Sequence, residues 1–135
     1  MARMNNIFTV PGMQADADLS AKQFYCVKMS TANNKVSLCT AQGEVVFGVL
    51  QNKPDADGVA AEVMALGITK VEAGETLTAG DLWGTDANGA AAKIERTNTG
   101  ADLGDYAAGV VIEGAASGEL ATVTIGIHNI QIVGA

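Results

Sequence analysis

The chain has 135 residues, enough for one domain with its own core and too few for a second of ordinary size. Its residues are 48% hydrophobic but only 4% aromatic, and 16 Gly against 2 Pro fit tight turns between short strands better than long helices. The formal charge of −7, with 15 acidic against 8 basic residues and no basic run, argues against a nucleic-acid partner, because such affinity comes largely from Lys and Arg neutralising phosphates.

No stretch approaches the roughly 18 apolar residues that would span a bilayer, so no membrane association is expected. Met1-Ala2-Arg3-Met4-Asn5-Asn6 lacks the apolar run of a secretion signal, which predicts synthesis in a cytoplasm. Two cysteines, Cys26 and Cys39, are too few for a disulfide scaffold and fit a reducing compartment.

Residues 1–20 read as an extended N-terminal arm or an edge segment. Ile7-Phe8-Thr9-Val10 is a short extended run stopped by Pro11-Gly12, and Gln14 to Asp18 is small and polar. Such an arm reaches about 65 Å at 3.3 Å per residue. Ile7, Phe8, Val10 and Pro11 are its candidate contact residues for a partner or a second protomer. Residues 21–135 then form a single β-barrel-like domain.

That domain opens with a hairpin over Phe24–Thr40. A turn centred on Ala32-Asn33 sets Val27 against Leu38, Met29 against Val36 and Cys26 against Cys39. A turn at Asn33-Asn34 slips the pairing by two and separates the cysteines, so the first register, which joins apolar residues, is preferred. The cysteines then form a cross-strand disulfide or remain two reduced, half-buried thiols.

Val45 to Leu50 is apolar on both faces and reads as a buried central strand. Pro54-Asp55-Ala56-Asp57-Gly58 is a turn. Ala61 to Val71 reads as a strand, although Val59–Leu66 also admits a helix; the β-branched residues and Gly67-Ile68-Thr69 favour the strand. Asn88-Gly89 is the strongest two-residue hairpin signal in the chain. Gly109 to Ile112 reads as another buried strand, with one helical turn possible over Asp102–Ala108. Leu120 to Ile127 alternates, and the pattern slips at His128-Asn129, where a bulge or turn is expected. Seven to nine short strands punctuated by glycine predict an all-β fold, a small barrel or a sandwich.

Chemistry is sparse. His128 is the only histidine, and no nearby Ser or Cys reads as an activated nucleophile. Asp55-x-Asp57-Gly58 starts like a calcium loop but has Leu66 where the bidentate acid should stand, and Asp86-x-Asn88-Gly89 is explained by a hairpin turn. Trp83 beside Asp81 either lines a pocket or anchors a core or interface. Neither phosphate-binding glycine pattern is present. No catalytic, cofactor or metal site is expected, and the chain is not expected to be an enzyme.

The runs Gly48-Val49-Leu50-Gln51-Asn52, Ala61-Glu62-Val63, Gly67-Ile68-Thr69-Lys70-Val71, Ala73-Gly74, Ala79-Gly80-Asp81-Leu82 and Asp86-Ala87-Asn88-Gly89 resemble the capsid decoration, or cement, proteins of tailed bacteriophages. Gly109 to Glu119 is similar to the matching end of that family, so the resemblance covers about residues 24–127. It implies a compact β-barrel or tulip-like domain, often trimeric, on the exterior of a mature head. There it would clamp neighbouring major capsid subunits, partly through an N-terminal arm. The alternative is a surface-displayed carbohydrate- or host-binding module with a pocket near Trp83.

Overall fold

The computed structural model describes residues 5–95, 104–126 and 130–131, with side chains for 9–95 and 104–126. Among them are twelve strands and no helix. In chain order they are β1 (Asn5–Val10), β2 (Gln14–Ala15), β3 (Cys26–Met29), β4 (Lys35–Leu38), β5 (Gly48–Leu50), β6 (Val63–Glu72), β7 (Leu82–Thr85), β8 (Ala91–Ile94), β9 (Tyr106–Ala107), β10 (Gly109–Glu113), β11 (Leu120–Ile125) and β12 (Ile130–Gln131). The all-β expectation holds.

Ten strands form one mixed sheet in the order β2-β4-β3-β5-β6-β11-β10-β7-β8, with β1 also paired to β6; β12 and β9 pair separately. The pairing of β2 with β4 is parallel, and the other strand pairs are antiparallel. The sheet folds over on itself. The Cys26 amide donates to the Gly89 carbonyl at the tip of the β7–β8 hairpin (2.7 Å), and the Glu72 amide donates to the Phe24 carbonyl (2.9 Å).

The β3–β4 hairpin has the register that joins apolar residues, with Val27 opposite Leu38 and Met29 opposite Val36. Its loop nevertheless uses both asparagines. Lys35 N bonds back to Ala32 O, and Asn34 takes a left-handed φ of 62° that a bulkier residue would resist. The β7–β8 turn corrects the two-residue reading. Thr85 pairs with Ala91, and Asp86 N bonds to Ala90 O, so Ala87, Asn88 and Gly89 form a three-residue loop. Asp86 Oδ1 fixes it by accepting from the amides of Asn88 (2.7 Å) and Ala90 (3.0 Å), and Gly89 supplies φ +82°.

Two apolar clusters lie on opposite faces of β3, β4 and β5. One contains Cys26, Cys39, Val49, Met64, Trp83, Ala91, Val111 and Val123, which binds the folded-over halves of the sheet together. The other contains Val27, Val36, Leu50 and Val63, covered by Met13, Ala15 and Leu19. That cover changes the reading of residues 1–20. Within the described residues they are not a free arm but part of this domain. β1 pairs along β6 from Asn5 to Val10, and the segment after it is held between β4 and the loop at residues 54–61. Gln14 N bonds to Asn34 O, Asp16 N to Val36 O, Leu19 N to Pro54 O, and Ala61 N to Met13 O. The physical reason is the two-sided sheet: without Met13 and Leu19, four core side chains would face water.

Other expectations change in detail. β5 is only Gly48–Leu50, and Val45 lies outside it, exposed. β6 is a strand across Val59–Leu66's apolar part, so the helical alternative fails. In β10, Val111 is buried while Val110 is exposed, so one face of this run meets solvent. Tyr106–Ala107 is β9 rather than part of a helical turn, and Asp102 lies outside the described residues. The slip at His128-Asn129 also lies outside them.

Candidate functional site

Among the described residues, an open groove of about 440 Å³ lies between the end of β3 and the segment leading into β5. It is lined by Lys28, Met29, Glu44, Val45, Val46 and Phe47. The Phe47 amide donates to the Val27 carbonyl (2.9 Å), which draws the 43–47 segment alongside β3. Phe47 packs against the cluster containing Val27, and Val46 turns into the other core. Val45 (49% exposed) and Met29 (44%) are left as apolar walls facing solvent.

A polar clasp closes one side of the groove. Lys28 Nζ bonds to Glu44 Oε1 (3.0 Å) and to Thr40 Oγ1 (3.2 Å). Glu44 Oε2 accepts the amides of Thr40 (2.6 Å) and Ala41 (2.8 Å). Burial tends to raise the Glu44 carboxyl's pKa, but the Ala41 amide, Lys28 and the Thr40 amide outweigh it and hold it below the usual value. The charges are therefore committed to each other, and the groove offers a partner chiefly an apolar surface. Sequence reading missed this feature because Val45 was assigned to a buried strand. The signal was the run's apolar surplus, which exceeds what the three-residue β5 can bury.

The structure disperses the other residues singled out above. Val10 is half-buried against the second cluster, and Pro11 is exposed at the turn after β1. The backbones of Ile7 and Phe8 lie in β1, but their side chains are outside the described set. Trp83 is wholly buried in the main core, and its Nε1 donates to the Thr124 carbonyl (2.9 Å). Asp81 accepts the Thr78 amide with Oδ2 (2.9 Å) and faces Lys93 at 4.0 Å. Asp57 pairs with Lys35 (2.6 Å), tying its turn to the β3–β4 hairpin. Among the described residues no group of three or more His, Cys, Asp or Glu could hold a metal ion. His128 lies outside them.

Cys26 and Cys39 are free and buried in the first cluster. Burial pushes both thiols up, Cys39 to about 12 and Cys26 well above its ordinary value, so neither ionises readily in the closed fold.

No protein-family model matches the chain, and no curated protein matches it. The structure is similar to the crystal structure of the N base of head fiber gp8.5 in bacteriophage phi29, with a TM-score of 0.63 and 19% identity over 91% of this chain and 95% of that one. At that identity the likeness establishes a shared fold across nearly the full length of both chains.

Proposed function

We propose that the chain is a structural protein of a phage head, bound to the outside of the capsid. There it stabilises the mature shell by clamping neighbouring major capsid subunits, and it acts as a homotrimer without enzymatic activity. The observation that carries this reading is the fold shared with the phi29 head-fiber N base over nearly all of both chains. The sequence resemblance to capsid decoration proteins supports the same setting.

The surface suits a role made of many modest contacts, since repeated engagement of a lattice raises retention without a single strong site. Met29 and Val45 present exposed apolar walls for one such contact. Leu66, Val110 and Leu120 are exposed on the neighbouring strands β6, β10 and β11, and offer a second face for a protomer or subunit. The charge of −7 keeps free copies apart before assembly. Ile7, Phe8 and Val10, in a strand held on the domain, and Pro11, at the turn after it, remain proposed contacts.

The test is sedimentation of the purified protein with heads lacking it, followed by heat release of their genome. Co-sedimentation and a higher release temperature support the proposal, whereas protein left in the supernatant refutes it.

A further inference from the structure

We propose that Cys26 and Cys39 form an intrachain disulfide when the protein meets a disulfide oxidant, stapling β3 to β4 beneath the tip of the β7–β8 hairpin. The inference stands on the geometry of this hairpin and does not depend on the head-binding role.

The β3–β4 register carries it. Val27 opposes Leu38, so the next residues along the ladder, Cys26 and Cys39, oppose each other, and the Cys39 amide donates to the Cys26 carbonyl (3.0 Å). Directly opposed antiparallel residues point to one face with Cα atoms typically about 5.5 Å apart at a hydrogen-bonded position, within the range a disulfide spans. Both side chains enter the same core cluster. Thr85 lowers the pKa of both thiols against the effect of burial, as expected of one residue lying near both. The chain has no other cysteine, so neither thiol has a competing intrachain partner.

Both thiols are buried, so reaction requires local opening. Cys39 leads, because it adjoins the exposed residues Thr40, Ala41 and Gln42. Once deprotonated in the opened state, its thiolate attacks one sulfur of oxidised glutathione, breaks that S–S bond and expels one glutathione thiolate. Cys26 then loses its proton to solvent, attacks the Cys39 sulfur of the mixed disulfide and expels the second glutathione. Two protein thiols are oxidised to one disulfide, and one oxidised glutathione is reduced to two thiols, each taking up a proton. The product closes the chain between residues 26 and 39 and ties β3 to β4 where Cys26 N also bonds Gly89 O. In a reducing cytoplasm the pair stays open, and it closes on release into an oxidising medium.

The experiment incubates the full chain with oxidised glutathione a few degrees below its melting temperature, then reads intact mass, alkylation and melting. The expected product has lost two hydrogens, retains no glutathione and resists alkylation. It should melt about 5–10 °C higher, an increment that reductant reverses. In Cys26→Ala and Cys39→Ala the remaining cysteine should keep a glutathione adduct, with no such rise. The wild-type measurements decide the matter even if a variant fails to fold. Thiols that stay reduced, a persistent glutathione adduct, an interchain dimer or a staple that does not raise melting would each overturn the proposal.

Discussion

Deleting residues 1–20 separates a removable arm from a structural cover, and the two predict opposite outcomes. Met13 and Leu19 are 6% and 5% exposed, and they shield Val27, Val36, Leu50 and Val63, all at 0%. Fully burying a side chain of that size contributes roughly 1.5–3 kcal/mol, so uncovering four forfeits about 6–12 kcal/mol. That is comparable with the whole stability of a domain, about 5–15 kcal/mol. The truncated chain is therefore expected to be unfolded or aggregated, with no cooperative urea transition by circular dichroism. The milder substitution Leu19→Ala should cost about 2–5 kcal/mol, lowering the urea midpoint with little change in slope. A truncated chain that unfolds cooperatively at the wild-type midpoint would refute the reasoning and restore the arm.

Further outcomes follow from individual contacts. Trp83→Phe removes the bond to Thr124 O and leaves a gap in the main core, so it should cost about 2–4 kcal/mol in urea unfolding. Gly109→Ala would drive its methyl into the Thr124 carbonyl oxygen and should cost about 1–3 kcal/mol by the same assay. Glu44 has a lowered pKa in the fold, so its contribution is present above the ordinary value of 4.5 and is lost as pH falls below it through the folded value. Acid titration of stability should accordingly be shallower in Glu44→Gln than in wild type. Val45→Asp should leave melting nearly unchanged, because the site is half exposed, yet weaken head association about tenfold or more through a desolvated charge.

Local pairing was readable where only one register satisfied the side chains. Val27, Met29, Val36 and Leu38 allow one good match, and the structure has it. Turn chemistry was half-readable: Asn88-Gly89 marked the place, but Asp86's hold on two amides set the loop at three residues. The role of residues 5–19 was hidden because their partners are remote. β1 meets β6 across more than fifty residues of sequence, and no local period announces such a pairing. Met13, Ala15 and Leu19 are spaced too irregularly to register as a face, although together they cover one. The groove was missed for a related reason. Val45 continues an apolar run but lies past the end of the sheet, and hydrophobicity alone does not separate a core residue from an exposed wall.

The central claim, attachment to the exterior of a phage head, is tested most directly by cryo-electron microscopy of heads lacking the protein after incubation with the purified chain. The account predicts added density on the outer surface, bridging neighbouring major capsid subunits as a three-fold cluster that fits this sheet. Heads identical to the untreated ones at saturating protein would contradict it.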